Sequence, residues 1–186
     1  MKELSLNILD IAQNSIKAEA TLVEILLQET QTALTITIRD NGYGMTEDFL
    51  QSVTDPFSTT RTTRKVGLGI PLFKLAAEQT GGSLRITSVA RNQDAAHCGT
   101  TTTAFFCKTH MDFTPLGDVV STIVLLIQGS PQVDFVFRHE RGAHTVQLDT
   151  REIRAVLGEE VPLNTAEVLN WIRDMLTEQY ASEEQI

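Results

Sequence analysis

The hydrophobic positions of the chain follow two repeats, one typical of helices and one typical of strands. Leu4, Ile8, Ile11 and Ile16 recur at helical spacing and predict an amphipathic helix over residues 4–18. After this helix, apolar and polar residues alternate in short runs, as in half-buried strands. We expect strands over 21–29, 33–40, 83–90, 100–107, 133–138 and 143–148, and further helices over 46–53, 70–79 and 116–128 and after the capping-box sequences at 149–152 and 164–167.

Composition and charge restrict the partners of the chain. Its 24 acidic residues exceed its 15 lysines and arginines, so the formal net charge is −9. Nucleic acids and anionic membranes bind clustered basic surfaces, and we therefore expect neither of them as a partner. A nucleotide needs only a local site, so the charge is compatible with one.

Three features predict a cytoplasmic protein. Cys98 and Cys107 lack the spacing of a zinc site or of a disulfide framework, which indicates a reducing compartment. The first residues lack the charged and apolar regions of a signal peptide. The most apolar run, 123–127, is far shorter than the ~20 residues that cross a bilayer.

The first predicted helix carries polar side chains that could bind a metal and a phosphate. Asp10 and Asn14 lie one helical turn apart and share a face, with Lys17 close to it. The amide oxygen of Asn14 suits a hard cation such as Mg²⁺, and Asp10 could orient or deprotonate a water. Lys17 could neutralise a phosphate. The alternative is a solvated polar face of the helix.

A glycine-containing turn follows the second strand, in the sequence Asp40-Asn41-Gly42-Tyr43-Gly44-Met45. Its glycines allow a sharp turn and a close approach to a flat ligand. The carboxylate of Asp40, at the strand end, could accept a hydrogen bond from an amino group. The alternative is an ordinary turn, because Asp, Asn and Gly are typical turn residues.

A basic loop over 54–69 leads into the next predicted helix. It contains Arg61, Arg64 and Lys65 and ends in the sequence Gly67-Leu68-Gly69. Glycines at the start of a helix expose amide groups to an anion, which suits a triphosphate. The alternative is an exposed solubilising loop.

The order of these motifs resembles the GHKL ATPase superfamily, which includes gyrase B subunits, heat-shock chaperones, histidine kinases and MutL proteins. Its four sequence boxes match in order over residues 4–107, namely the N box at Asp10 and Asn14, the G1 box at 40–44, the F box at Asp55-Pro56-Phe57 and the G2 box at 67–69. Histidine kinases are the most similar members in the N and G2 boxes. The resemblance implies an α+β fold, namely a two-layer α/β sandwich with a mixed sheet and helices on one face. Residues 1–110 would form the ATP-binding domain, and 111–186 a helix-hairpin-helix-helix extension of unknown role.

The resemblance also implies a role for each candidate residue. Asn14 matches the asparagine that binds Mg²⁺, and Asp10 lies where hydrolysing members have a glutamate as general base. Asp40 matches the aspartate that accepts a hydrogen bond from the adenine amino group. The other implied nucleotide contacts are Lys17 and Arg61 near the phosphates, Gly67, Leu68 and Gly69 under them, Gly42, Gly44 and Met45 beside the nucleotide, and Thr100 near adenine.

Two functions are compatible with this resemblance. The first is an Mg–ATP-binding module that acts as a regulatory protein kinase, directed at a histidine or serine of a partner protein, or as a slow ATPase. The alternative is a non-catalytic module that binds a partner protein in a nucleotide-dependent way. The short side chain of Asp10 and the C-terminal extension favour the alternative.

Two residues of the extension carry structural expectations. Trp171 lies at helical spacing with Leu176, which predicts a core position. His139 flanks a predicted turn, which predicts an exposed loop histidine.

Overall fold

The computed structural model of the chain describes residues 3–54, 68–158 and 160–182. The types of element that the hydrophobic pattern predicts are confirmed. They are α1 (Leu4–Lys17), β1 (Leu22–Glu29), β2 (Ala33–Asp40), α2 (Glu47–Thr54), α3 (Gly69–Gln79), β3 (Ser83–Val89), β4 (Gly99–Cys107), α4 (Val119–Gly129), β5 (Asp134–Arg141), β6 (His144–Asp149), α5 (Thr150–Leu157) and α6 (Ala166–Ala181).

Two predicted boundaries differ from the observed ones for identifiable reasons. The helix expected from residue 116 begins at Val119, because the side chain of Asp118 accepts a hydrogen bond from the backbone N–H of Ser121 at 2.8 Å and caps the helix there. The strand expected to end at residue 138 continues to Arg141, paired with β1 and β6.

The six strands form one mixed sheet in the order β3-β4-β2-β1-β5-β6. The pairing of β1 with β5 is parallel, and the other four pairings are antiparallel. Alternate side chains along β1, such as Val23, Ile25 and Leu27, are buried towards the helices, and the same alternation runs through β2 and β5. The expected α+β fold, with helices packed on one face of a mixed sheet, is confirmed.

Both halves of the chain contribute to one sheet and one hydrophobic core. Strand β5 pairs with β1 so that Phe135 lies opposite Val23 and Phe137 lies opposite Ile25, and all four belong to the same buried cluster. The first helix is also tied to the segment after β4, because the N–H of Leu4 donates to the carbonyl of residue 115 at 2.9 Å. The division into domains 1–110 and 111–186 stays a prediction.

The outer edge of the sheet is covered by a side chain of α6. The backbone N–H of Gln147 in β6 donates to Oε1 of Gln179 at 2.8 Å, and Nε2 of Gln179 donates to the carbonyl of Gln147 at 3.1 Å. The side-chain amide therefore pairs with the strand as a neighbouring peptide group would. Among the described helices, none has the length and apolar character needed to span a bilayer.

Candidate functional site

The candidate site lies where β2 ends beside α1. Asp40, the last residue of β2, is buried, and three donors from different elements fix its carboxylate. Oδ1 accepts the backbone N–H of Gly42 at 2.9 Å and that of Thr100 at 3.2 Å. Oδ2 accepts the hydroxyl of Ser15, on α1, at 2.6 Å. Because these donors come from α1, β4 and the turn after β2, the orientation of the carboxylate is set by the fold as a whole.

Three polar side chains form a row across β2, β4 and β3. Asp40 pairs with Thr100, and Thr100 pairs with Ser88, so the three share one face of the sheet. Oγ of Ser88 lies 2.8 Å from Oγ1 of Thr100 and donates to the carbonyl of Gly99 at 2.9 Å. It also accepts the backbone N–H of Met45 at 2.8 Å. Ser88 thus joins the turn after β2 to both strands.

The turn after β2 packs so closely that side chains are excluded at its glycines. Gly44 has φ +67, and a Cβ there would lie 2.0 Å from the carbonyl oxygen of Val89. A Cβ on Gly42 would lie 2.6 Å from the carbonyl oxygen of Ala18, at the end of α1. The backbone of this turn is therefore fixed between α1 and the end of β3.

Asn41 has a structural role in the same turn. Its Oδ1 accepts the backbone N–H groups of Thr21 and Leu22, both at 2.9 Å, and its Nδ2 donates to Oγ1 of Thr21 at 2.8 Å. These bonds hold the start of β1 against the end of β2.

The polar face of α1 lies against the start of α3. Asp10 and Asn14 are half-buried, and Lys17 is exposed at the end of the helix. A Cβ on Gly69, the first residue of α3, would lie 3.1 Å from Cβ of Asp10, so the two helices touch there. Leu68 precedes α3, and its side chain makes no capping hydrogen bond. The amides at this end of α3 carry partial positive charge and suit an anion.

The predicted site residues therefore form two neighbouring groups. Asp10 and Gly69 meet between α1 and α3, with Asn14 one turn further along α1, and Asp40, Gly42 and Thr100 meet at the end of β2. Met45 connects to the second group through Ser88, and Gly44 belongs to the same turn. Arg61 and Gly67 lie outside the described residues, as does most of the predicted loop over 54–69. The roles assigned to all of these residues stay predictions.

Sequence reasoning missed two members of the site, Ser15 and Ser88. Both carry a recognisable signal. Ser15 follows Ile8 and Ile11 on the buried stripe of α1, and Ser88 follows Leu84 and Ile86 on the inward register of β3. A serine at an apolar position of an amphipathic element indicates a buried hydrogen-bond partner.

The far end of the sheet contains a charged cluster around Glu29, the last residue of β1. Its carboxylate contacts Nζ of Lys108 at 2.6 Å, Nε2 of His139 at 2.9 Å and Nε of Arg141 at 3.2 Å. Nδ1 of His139 lies 2.8 Å from the hydroxyl of Tyr180. Burial alone would raise the pKa of Glu29, but the Lys108 hydrogen bond and the surrounding cationic side chains lower it below its usual value.

Two expectations for the extension are wrong. His139 is buried, with 1% of its surface exposed, because it continues the inward register of β5. Trp171 is 54% exposed and lines an apolar cavity of about 970 Å³ between α5, α6 and the β6 edge, together with Leu148, Val156 and Met175. Across the described parts of the chain, histidine, cysteine and acidic side chains form no group of three that could hold a metal.

Comparison with known proteins gives one family over the first half of the chain. The family model described as "Histidine kinase-, DNA gyrase B-, and HSP90-like ATPase" matches residues 2–110. A curated relative, the C4-dicarboxylate transport sensor protein DctB of Pseudomonas aeruginosa, is 37% identical over 71 residues. That match covers 38% of this chain and only 12% of the length of the relative.

Two solved structures show the same fold at low sequence identity. The Aquifex aeolicus MutL ATPase domain complexed with ADP has a TM-score of 0.54 and 14% identity, over 84% of this chain and 69% of its own. The N-terminal domain of a DNA repair protein has a TM-score of 0.53 and 17% identity, over 86% of this chain and 58% of its own. Both matches cover more than 110 residues of this chain, so each includes part of the chain after residue 110, which agrees with the continuous sheet.

Proposed function

Because the chain belongs to the histidine kinase-, DNA gyrase B- and HSP90-like ATPase family, we propose that it binds Mg–ATP and acts as a regulatory protein kinase or slow ATPase. Its ATP-binding domain is of the histidine-kinase type. The observation that carries the proposal is the fixed carboxylate of Asp40. Among the described residues, three donors occupy three of its about four acceptor positions, and the fourth, on Oδ2, suits the amino group of adenine.

The proposed phosphate and metal positions lie between α1 and α3. Asn14 offers a neutral amide oxygen on a half-buried helix face, one turn along α1 from Asp10, which touches the start of α3. Its chemistry fits Mg²⁺, which takes few protein ligands and shares oxygens of the phosphates and waters. The metal would neutralise phosphate charge when bound. Lys17 and Arg61 would neutralise further charge, and the backbone at Gly67, Leu68 and Gly69 would bind phosphate oxygens.

The proposed reaction requires little covalent chemistry from this chain. In phosphoryl transfer, catalysis is mostly positioning and charge stabilisation. A partner protein would supply the accepting histidine or serine, and Asp10 would orient the acceptor or a water and take its proton. We propose a cytoplasmic setting for this reaction, in agreement with the sequence.

A nucleotide-dependent binding module is the second candidate, and Asp10 is the observation that favours it. An aspartate is one methylene shorter than a glutamate, so its carboxylate reaches less far from α1. In this case ATP binding would alter the affinity of the chain for a partner protein, with no useful turnover.

Calorimetric titration of ATP with Mg²⁺ tests the binding site. We expect Asp40→Asn to weaken ATP binding about tenfold to a hundredfold, because it places an amide donor against the adenine amino group. Asn14→Ala should remove the Mg²⁺ dependence. Asp174→Asn, on the exposed face of α6, is the matched control and should change neither. Tight Mg–ATP binding that survives both site variants would contradict the assignment.

Labelled ATP then separates the two functions. A kinase should label a histidine or serine of a candidate partner, and an ATPase should release phosphate. Binding without either product, together with a partner affinity that changes with ATP, would support the binding module instead.

A further inference from the structure

The position of one hydroxyl proton follows from the contacts of Ser88. Its Oγ has three polar neighbours, namely the N–H of Met45, the carbonyl of Gly99 and the hydroxyl of Thr100. A serine hydroxyl has one proton and two acceptor positions. The N–H of Met45 can only donate, and the carbonyl of Gly99 can only accept.

One arrangement satisfies all three contacts at once. Ser88 gives its proton to the carbonyl of Gly99 and accepts the N–H of Met45 with one lone pair. Its second lone pair then accepts the proton of Thr100 across the 2.8 Å contact. The reverse arrangement, in which Ser88 donates to Thr100, leaves the Gly99 contact without a proton. Buried and half-buried polar groups favour the arrangement with more hydrogen bonds.

This arrangement makes Thr100 and Asp40, which lie side by side in the row across β2, β4 and β3, both hydrogen-bond acceptors. With its proton directed to Ser88, Oγ1 of Thr100 presents lone pairs to its other neighbours. The carboxylate of Asp40, beside it, can only accept. Two adjacent acceptors attract an amino group and repel a carbonyl oxygen, directly or through a bridging water.

We propose that Ser88 is a positioning residue that makes this site selective for 6-aminopurine over 6-oxopurine nucleotides, by holding the Thr100 hydroxyl as an acceptor. The inference rests on the proposed function, because it assumes that the purine base lies at Asp40 and Thr100. Without Ser88, the Thr100 hydroxyl is released to donate a hydrogen bond to a 6-oxo group.

The test compares the dissociation constants of ATP and ITP, which differ at position 6 of the purine, by calorimetry in the presence of Mg²⁺. We expect Ser88→Ala to reduce the preference for ATP over ITP about tenfold, the effect of one hydrogen bond that changes from repulsive to attractive. Ser88→Thr keeps the hydroxyl and should retain the preference. Thr87→Ala is the matched control, because Thr87 is the exposed neighbour on the opposite face of β3.

A double-mutant cycle identifies the route of the effect. In a Thr100→Val background, Ser88→Ala should no longer change the ATP-to-ITP ratio, because the hydroxyl that it controls is absent. The Thr100→Val variant alone also provides the comparison if Ser88→Ala fails to fold, since its own ratio should fall while far-UV circular dichroism stays native.

The outcomes separate this inference from the proposed function. If Ser88→Ala weakens ATP and ITP equally, Ser88 only supports the turn through Met45, and the inference is overturned while the ATP site stands. If Thr100→Val leaves the ratio unchanged, the inference is also overturned. If the unaltered chain binds neither nucleotide, both the proposed function and this inference fail.

Discussion

Two regions of the sheet, the candidate site around Asp40 and the β5–β6 edge, place polar and apolar side chains in opposite ways. Where β2 and β3 end and β4 begins, Asp40, Ser15 and Ser88 point inward and satisfy one another or the backbone. At the β5–β6 edge, an apolar cavity opens to solvent beside Trp171, which is half exposed. In the first region the directions of the hydrogen bonds are fixed by the fold, whereas the second region presents mainly the shape of an apolar cavity. Specific recognition of a small polar ligand belongs to the first kind of surface.

The largest expected effect tests whether the region around Asp40 and the β5–β6 edge share one hydrophobic core. Phe137, on β5, is fully buried opposite Ile25 of β1. We expect Phe137→Ala to lower the free energy of unfolding by about 3–5 kcal/mol in urea, in a single transition. Phe105→Ala, which removes a ring that is 42% exposed, is the control and should cost much less. Separate midpoints by circular dichroism and by Trp171 fluorescence would instead indicate two independent units.

The second prediction concerns the close packing of the turn after β2, beside the proposed nucleotide site. Gly44→Ala adds a Cβ that meets the carbonyl of Val89, whereas Gly81→Ala adds one with nothing within 4 Å, at a similar φ of +74. Both variants incur the left-handed backbone cost of about 1 kcal/mol, and only the first adds steric strain of about 1–3 kcal/mol. Urea unfolding should therefore separate them, and only Gly44→Ala should weaken ATP binding. Equal losses would show that the turn relaxes freely.

The third prediction concerns the charged cluster at the far end of β1. The pKa of Glu29 is lower in the folded chain than the ordinary value of 4.5. Its contribution is therefore complete above that value and is lost as the pH falls through the folded pKa. Removing this charge by Glu29→Gln should cost about 1.5–3 kcal/mol at pH 7, because charged hydrogen bonds to Lys108 and His139 are weakened.

Urea titrations between pH 7 and pH 3 check this dependence. Stability of the unaltered chain should fall more steeply below pH 4.5 than that of Glu29→Gln, so the two curves should converge in acid. Asp174→Asn again serves as the control and should keep the slope of the unaltered chain. Parallel curves for Glu29→Gln and the unaltered chain would contradict the lowered pKa.

The smallest expected effect is at Trp171. Because about half of its surface is already exposed, Trp171→Ala should change the free energy of unfolding by less than about 1 kcal/mol. The neighbouring Ile172 is fully buried, and Ile172→Ala should cost about 2–5 kcal/mol. Equal losses of unfolding free energy at the two positions would mean that the cavity is closed in solution. The contrast between the site around Asp40 and the β5–β6 edge would then weaken.

Local patterns were sufficient to predict the elements, because each strand alternates and each helix has one apolar stripe, whereas the sheet-plus-helix architecture was implied by the resemblance to the GHKL superfamily. They also located Asp40, which continues the inward register of Leu34, Ile36 and Ile38. The contacts that fix Asp40 could not be predicted in this way. Its partner Ser15 is 25 residues away in sequence, and the meeting of Ser88 with Thr100 depends on how β3 aligns with β4.

The two wrong expectations have equally specific causes. His139 was expected in a loop because the predicted strand ended at residue 138, one position before it, whereas β5 continues to Arg141. Its burial depends on Glu29 and Tyr180, which are distant in sequence. Trp171 lies one position from the buried stripe of α6, which runs through Val168, Ile172 and Leu176, and helical spacing alone did not separate the two neighbouring positions.

The pairing of Gln179 with Gln147 determines where this sheet ends. A free strand edge is a template on which a strand of another molecule can assemble. At Gln147 the outward N–H and carbonyl are already bonded by a side chain of the same chain. The side-chain amide of Gln179 thus takes the place that the backbone of a further strand would take at Gln147. It protects this edge against edge-to-edge aggregation of neighbouring molecules.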